Sequence, residues 1–403
     1  MTARLVGVSA DSALGQADGA ALRTGIDVLV AGNFEPLRRG RARTKLGLLT
    51  NHTGLDSGGR RTIDLLASAP GISLVALFSP EHGPAGALDT TELADTRDAA
   101  TGIPIYSVYG KTGAQRRPRP ELLKNLDAVV VDLQDAGAAF YTYATTMAYF
   151  LEAVAQTGTE IVVLDRPNPI TGSMVQGPLS DAARSDFIRY HQLPVRHGMT
   201  MGELALFYNS ERKIGARLTV VPMQGWSRGD WHDATGLPWV PPSPNLRTLT
   251  QAALYPGVAL LERTNISVGR GTETPFELVG APWIDGNVLA AFLTQRRIPG
   301  VRFVPVDFTP SSSTHANQRC GGVKILLVDR ERLESPLLGI ELAAALRKLY
   351  PKGFEVQRVN DLLANEAAFK ALLAGEDPRR ISRQWRGPLT RFQKIRRRYL
   401  LYK

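Results

Sequence analysis

A carboxyl group beside a histidine, in the segment SPEHG at residues 79–83, is the strongest candidate for catalysis in this sequence. Glu81 follows a proline, precedes His82 and Gly83, and comes directly after a short apolar run, so we expect a rigid turn. Partial burial there would favour the protonated carboxyl and allow Glu81 to donate a proton near neutral pH, with His82 beside it. Alternatively, Glu81 caps the following segment or pairs with an arginine such as Arg166.

Polar, turn-rich segments also follow three other short apolar runs, with the sequences TNHTG, QDAG and DRPNP. Gln134 and Asp135 could hydrogen-bond a polyhydroxylated ligand, or they could satisfy the backbone amides of their loop. For Asp165, an internal salt bridge with its neighbour Arg166 is favoured slightly over a substrate contact. The candidate ligand-binding residues in these segments are Asn51, Gln134, Asp135, Asp165, Arg166 and Asn168.

Two tyrosines stand at the start of a helix that is expected to face the same crevice. Tyr141 and Tyr143 could pack in the core, as aromatic side chains commonly do. They could instead present a flat, partly polar platform on which a sugar ring stacks. The sequence leaves both possibilities open.

Nucleotide and metal chemistry find no support in the motifs. The GKT at residues 110–112 ends like a phosphate-binding loop, but the first glycine of that pattern falls on Ile105. The GRG at residues 269–271 lacks the third glycine of a dinucleotide fingerprint, and the six histidines are scattered without ligand spacing. We therefore expect neither a cofactor nor a metal.

The segments that precede these loops predict the fold class. Short, nearly continuous apolar runs at residues 45–49, 73–78, 128–133 and 161–164 are typical of parallel strands buried on both faces. Helix-like stretches alternate with them, at residues 61–68, 120–126 and 143–156. This alternation predicts an α/β protein with an open parallel sheet, in which ligands bind outside the carboxyl ends of the strands.

A proline-rich connection, TGLPWVPPSPN, precedes a change of pattern, and we place a domain boundary just after it, near Arg247. Residues 1–43 are predicted to be an N-terminal extension or linker, residues 44–247 the sheet domain, and residues 248–403 a smaller α+β domain. In the last of these, residues 323–328 predict a strand, and residues 336–349 and 360–373 predict helices.

The net charge of +10 is confined to one end of the chain. Ten basic residues and no acidic one lie between Arg379 and Lys403, so the other residues sum to zero. Trp385, Phe392 and Tyr399 belong to an apolar series with helical spacing, which favours an amphipathic helix docked on the body. The alternative is contact with an anionic polymer or a membrane surface. A nucleic-acid partner is not expected, because this charge belongs to a short tail.

The remaining composition narrows the class of protein. The single cysteine, Cys320, excludes an internal disulfide framework. No apolar run approaches the length of about 18 residues that a membrane-spanning helix needs. The first thirty residues contain no signal-peptide core, which predicts a cytoplasmic protein. A misassigned start codon would leave a periplasmic or secreted location open.

A family resemblance emerges from motifs spread over the chain from about Lys45 to the C-terminus. They occur in a fixed order and are individually modest, but together they are specific. This set resembles the exo-β-N-acetylmuramidase NamZ family. The motifs are FSPEHG, IPIYSVYG, DLQDAGAAFYTY, LDRPNP, RHGMTMGELA, MQGW, PSPN, YPG, TNISVGRGTETPFE, GAPW and the terminal YLLY.

The resemblance implies a Rossmann-like sheet domain, a smaller C-terminal domain and an active site in the cleft between them. It also implies removal of terminal N-acetylmuramic acid from the non-reducing end of peptidoglycan fragments, with Glu81 as the catalytic acid. The lactyl carboxylate of such a substrate would need a cation, for which Arg166 and Arg270 are the expected candidates. Asn265 is a further expected substrate contact.

The second catalytic group stays open between Glu262, Glu273, Asp135 and the acetamido group of the substrate itself. Ala85 and Ala139 stand where the family pattern has arginines, which predicts a less cationic pocket and poor discrimination between a muramide and a glucosaminide. The alternative function is therefore a catalytically impaired homologue that binds cell-wall saccharides or a partner.

Overall fold

The computed structural model describes residues 4–5, 21–38 and 43–403. In these residues the strands are β1 Arg4–Leu5, β2 Thr44–Thr50, β3 Ile72–Ser79, β4 Thr96–Arg97, β5 Pro104–Ser107, β6 Ala128–Asp132, β7 Glu160–Leu164, β8 Gln176–Leu179, β9 Pro194–Arg196, β10 Arg217–Val221, β11 Leu278–Ala281, β12 Val301–Phe308 and β13 Cys320–Leu327. The helices are α1 Gly25–Ala31, α2 Glu35–Arg38, α3 Thr62–Ala67, α4 Pro120–Leu123, α5 Tyr143–Thr157, α6 Met201–Glu211, α7 Leu249–Val258, α8 Gly286–Gln295, α9 Ser335–Leu349, α10 Asn360–Leu363, α11 Glu366–Ala374, α12 Pro378–Arg383 and α13 Arg386–Arg396.

The larger sheet has the strand order β1-β10-β7-β6-β2-β3-β5-β4. All neighbouring strands run parallel except β4, which pairs antiparallel with β5 at the edge. All five residues of β6 are buried, as expected for a central strand covered on both faces. One face packs against α5 and α6, and the other packs against α1 and α3. The α/β fold class predicted from the sequence is confirmed.

A second, antiparallel sheet of three strands, in the order β11-β13-β12, lies in the C-terminal part of the chain. Helix α8 packs on β12 and β13, α9 packs on α8, and α7 and α9 pack on each other. One apolar core continues from the α5 face of the large sheet into this region, joining Val129 to Val323 and Leu338. The cleft between the two sheets is therefore held by a shared core. The domain boundary near Arg247 stays a prediction.

Two segments differ from the sequence-based expectation. Residues 21–38, predicted as part of an extension, form α1 and α2, and Ile26 and Leu29 are buried against the sheet. The predicted helix over residues 360–373 is interrupted, because Ala364 adopts a left-handed conformation with φ of 50°. The Asn365 side chain then accepts a hydrogen bond from the Ala368 amide and starts a new helix.

The basic tail forms α12 and α13 and continues across the end of β7. Trp385 and Phe392 are buried. The Tyr402 hydroxyl donates a hydrogen bond of 2.6 Å to the carboxylate of Asp165, which follows β7. The tail therefore covers a strand end that the sequence predicted to be open to ligand. No helix among the described residues combines the length and the apolar character needed to cross a membrane.

Replacement of Tyr402 by phenylalanine is expected to destabilise the fold in a pH-dependent manner. Burial raises the pKa of Asp165 to about 6, while hydrogen bonds from Tyr402 and Gly202 oppose that rise. Because the folded pKa lies above the unfolded one, this group lowers stability as the pH rises from about 4 to about 6, where it ionises in the fold. Removing a donor to the ionised form should cost about 2 kcal/mol above that range and less below it.

Urea unfolding of Tyr402→Phe at pH values about one to two units on either side of the Asp165 transition measures this difference. The matched control is Tyr399→Phe, since the Tyr399 hydroxyl contacts the Glu211 carboxylate and the Ser210 hydroxyl at the end of α6, away from Asp165. An equal loss of stability at both pH values would show that Tyr402 acts through packing alone.

Candidate active site

A cavity of about 390 Å³ opens between the carboxyl ends of β3 and β5 and the C-terminal part of the chain. The loops after β3 and β5 and the start of α5 form one wall, and the segment that follows α7 forms the other. This volume falls within the range of pockets that bind small organic ligands. Charged and polar side chains line much of this cavity. Among them are Glu81, His82, Asp89, Tyr109, Arg116, Tyr141, Thr142, Glu262, Arg263 and Arg270.

The Glu81 carboxyl group receives a hydrogen bond on each oxygen. The Tyr109 hydroxyl donates to Oε1 over 2.6 Å, and the Thr142 hydroxyl donates to Oε2 over 2.5 Å. Burial, followed by the charge of Glu81, raises the pKa of Tyr109 well above its usual value, so this phenol is a donor at neutral pH. Thr142 is the N-cap residue of α5, whose positive end favours negative charge on Glu81. The surroundings therefore stabilise the carboxylate that remains after a proton has left.

His82 holds a strained backbone beside this carboxyl. Its φ of 72° is rare for a residue with a side chain, and Gly83 follows with φ of 74°. The ring nitrogen Nδ1 lies 2.8 Å from the Leu88 carbonyl oxygen. Because a carbonyl can only accept, Nδ1 carries a proton and donates it to this oxygen. The predicted rigid turn is present, and both Glu81 and His82 line the cavity.

Glu262 and Arg270 also reach the cavity, but they are bound to each other. The Arg270 guanidinium forms ion pairs with Glu262 and with Asp89. Burial acts to lower the pKa of Arg270, but the two carboxylates outweigh it and raise that pKa. Arg270 is thus neutralised within the cavity wall.

Three of the predicted ligand contacts lie beneath the loops rather than in the cavity. Asn51 is buried and donates to the Tyr143 hydroxyl over 2.8 Å. Gln134 donates to two backbone carbonyls, including that of Pro167. Asp135 accepts from the Gly137 amide and lies 3.3 Å from a ring nitrogen of a buried histidine, His197. These side chains stabilise the loops, which for Gln134 and Asp135 was the alternative left open by the sequence.

The polar residues after β7 are likewise turned into the protein. Asp165 accepts from Tyr402, Thr200 and the Gly202 amide. The expected salt bridge between Asp165 and Arg166 is not the one formed, because Arg166 instead pairs with Asp132 at 2.5 Å. Arg166 and Gln134 line a separate cavity of only about 30 Å³, which is the size of a water site and too small for a sugar.

Two amides from the predicted set also have structural partners. The buried Asn168 donates to the Met199 carbonyl. Asn265 donates to the Gly353 carbonyl over 2.7 Å and accepts from the Glu355 amide over 3.0 Å. Neither residue lines the cavity, so their amide groups position loops rather than a ligand.

The tyrosine pair divides between the two roles left open by the sequence. Tyr141 lines the cavity, although its hydroxyl is committed to the Pro242 carbonyl over 2.7 Å. Tyr143 is fully buried, and its ring centroid lies 4.8 Å from that of Tyr141 in an edge-on arrangement. Together they attach the start of α5 to the proline-rich connection, and only Tyr141 can face a ligand.

The structure adds cavity residues that the sequence did not single out. Tyr109 follows β5, a strand too short to predict, and Thr142 lies between the two predicted tyrosines. Both belong to motifs of the family resemblance, which was the available signal. Ala85 and Ala139 do not line the cavity, and it contains Arg116, Arg263 and Arg270. The expectation that this pocket is less cationic than those of the family stays a prediction. Within the described parts of the chain, no three His, Cys, Asp or Glu side chains are grouped to hold a metal ion.

An open parallel sheet with a hydrogen-bonded carboxyl group in a polar cleft defines an α/β protein built for acid–base chemistry on a small polar ligand. Comparison of the sequence with models of protein families identifies the family. The N-terminal model of exo-beta-N-acetylmuramidase NamZ matches residues 46–250, and the C-terminal model matches residues 253–402. The chain belongs to the NamZ family.

Relatives cover nearly the whole chain. The peptidoglycan beta-N-acetylmuramidase NamZ of Bacillus subtilis is 40% identical over 385 residues, which are 94% of this chain and 91% of that protein. Two crystal structures of DUF1343 family proteins from Bacteroides fragilis are also similar. One has a TM-score of 0.86 at 33% identity and the other 0.77 at 30%, and each comparison covers 95% of this chain and 99% of the other.

Proposed function

We propose that this protein is a glycoside hydrolase that releases terminal N-acetylmuramic acid from the non-reducing end of peptidoglycan fragments, with Glu81 as the general acid. The observation that carries the proposal is the position of Glu81, which lies in a cavity of ligand size between two hydroxyl donors. Family membership and the Bacillus subtilis muramidase support the substrate class.

The chemistry follows from the contacts of Glu81. Its proton passes to the glycosidic oxygen as the bond from that oxygen to the anomeric carbon breaks, and the bonding electron pair leaves with the departing sugar. Tyr109 and Thr142 then stabilise the carboxylate that forms on Glu81. Water adds to the oxocarbenium-like carbon and gives up a proton, which completes hydrolysis and returns the acid to its starting state.

A second group must stabilise or attack the anomeric carbon. Of the protein candidates, Glu262 lines the cavity, whereas Asp135 is buried elsewhere and Glu273 is outside the lining. The ion pair with Arg270 holds the Glu262 side chain in place. This geometry leaves Glu262 and the acetamido group of the substrate as the two candidates.

The direct test is incubation of the purified protein with a chromogenic aryl β-N-acetylmuramide and with the matching glucosaminide. We expect release of the chromophore from the muramide at a rate about tenfold or more above that from the glucosaminide, because only the muramide offers a carboxylate to the cavity arginines. Mass spectrometry of digested peptidoglycan fragments should show free N-acetylmuramic acid. A folded protein that binds these fragments but releases nothing would instead be a catalytically impaired homologue.

A further inference from the structure

Two arginines at the cavity have no acidic partner in the described part of the chain. Arg263 is exposed, lines the cavity and forms no ion pair with any residue that the structure describes. Arg116 also lines the cavity without an ion pair to a described carboxylate. Its Nε donates to the Gly110 carbonyl over 2.8 Å, and its guanidinium lies 4.7 Å from the centre of the Phe187 ring. Arg116 is thus held in place while part of its guanidinium stays available.

The two arginines expected from the sequence are already occupied. Arg166 is buried against Asp132, outside this cavity. Arg270 is in the cavity but pairs with two carboxylates, Glu262 and Asp89. A ligand carboxylate could reach Arg270 only by displacing one of them, which would leave a partly buried charge unpaired.

The charges of Arg116 and Arg263 act on Tyr109, whose hydroxyl group contacts the carboxyl group of Glu81. Arg116 and Arg263 each oppose the rise in the pKa of Tyr109, which is caused mainly by burial, so their charges reach its hydroxyl group. That hydroxyl lies 2.6 Å from Glu81. A sugar whose anomeric oxygen meets Glu81 therefore lies in the field of both guanidinium groups.

The charges of the cavity lining also favour an anionic ligand. When Glu81 holds its proton, three arginines face the two carboxylates of Asp89 and Glu262, and one positive charge is left over. A ligand with a single carboxylate would neutralise this excess, whereas a neutral sugar would not. The cavity is thus complementary in charge to a monoanionic sugar.

We propose that Arg116 and Arg263 form a carboxylate subsite that recognises the lactyl group of the substrate, an inference that rests on the proposed function. Arg116, fixed by Gly110 and Phe187, supplies a preorganised guanidinium. Arg263, which is exposed at the cavity, closes on the carboxylate once the sugar is bound. Guanidinium forks match carboxylates in two parallel hydrogen bonds, so the pair selects muramides over glucosaminides.

The test is the variant Arg263→Gln, because its exposed side chain has no hydrogen bond to a described residue and its loss should not disturb the fold. We expect the ratio of kcat/KM for the muramide to that for the glucosaminide to fall by about tenfold or more, mainly through KM for the muramide. The matched control is Arg302→Gln, an exposed arginine on β12 outside the cavity, which should leave the ratio at its wild-type value.

Isothermal titration calorimetry measures the affinity of the subsite for a ligand in the absence of catalysis. Wild-type protein should bind free N-acetylmuramic acid more tightly than N-acetylglucosamine, and Arg263→Gln should lose about tenfold or more of that difference. A folded Arg263→Gln that keeps both the kinetic ratio and the binding difference overturns the subsite. Wild-type protein that shows the binding difference but hydrolyses neither substrate would contradict the proposed function while keeping the subsite.

Discussion

Replacement of Glu81 by glutamine should lower kcat for the aryl β-N-acetylmuramide by about a hundredfold or more without changing the fold. Glutamine has the same size, its amide oxygen can accept from one of the two hydroxyls of Tyr109 and Thr142, and its NH2 group can donate to the other, but it cannot donate the proton that the leaving oxygen needs. The measurement is steady-state hydrolysis, together with a thermal melt to show that the variant remains folded.

Substrates with different leaving groups distinguish proton donation by Glu81 from a role in substrate binding alone. A sugar leaving group depends fully on the acid, whereas a strongly activated aryl group can depart without it. Glu81→Gln should therefore retain more activity on a dinitrophenyl muramide than on a natural disaccharide. The control is Glu273→Gln, an exposed carboxyl outside the cavity lining, for which we expect wild-type rates. Near-native turnover of the disaccharide by Glu81→Gln would remove this residue from the mechanism.

The largest expected effect on stability belongs to Arg166. The Arg166 and Asp132 side chains are 6% and 0% exposed and form an ion pair at 2.5 Å, and the Thr62 hydroxyl also donates to Asp132. Replacing Arg166 by methionine leaves this buried carboxylate without its cation, and such losses cost about 3–5 kcal/mol. Urea unfolding at neutral pH measures the difference.

Two further variants make the Arg166→Met result specific. Arg119→Met removes an ion pair with Asp95 in which both side chains are about half exposed, so it should cost at most about 1 kcal/mol. The double variant Arg166→Met with Asp132→Asn should recover part of the lost stability, because the uncompensated charge is gone. If Arg166→Met kept full stability but had a raised KM for the muramide, Arg166 would be a substrate-binding residue, as the sequence first indicated.

The sequence by itself determined the class of fold and indicated the carboxyl group that we propose as the acid. Buried parallel strands need continuous apolar residues, so runs such as AVVVD in β6 could be read directly. The turn that presents Glu81 is also local, since the proline and glycine around it fix the backbone over a few residues. The NamZ resemblance lay in the same loops, and the family models agree with it.

Only the tertiary structure decided which strand ends open to a ligand. The loops after β3 and β5 reach the cavity, whereas the end of β7 is closed by Tyr402, which contacts Asp165 across 237 positions of the chain. A strand end gives the same local pattern whether a later segment covers it or not. Asn51, Gln134 and Asn168 therefore looked like ligand contacts and prove to hold the loops.

Charge pairing depended on the tertiary structure for the same reason. Arg166 and Arg270 were the cations expected to meet the substrate, but folding gave each a carboxylate partner, whereas Arg116 and Arg263 have none among the residues that the structure describes. Secondary structure depends on neighbouring residues, so its patterns are visible in the sequence. An ion pair is formed by whichever charges the closed chain brings within a few ångströms. The sequence therefore indicated the proposed acid, and the tertiary structure decided which cations of the cavity are already paired with carboxylates.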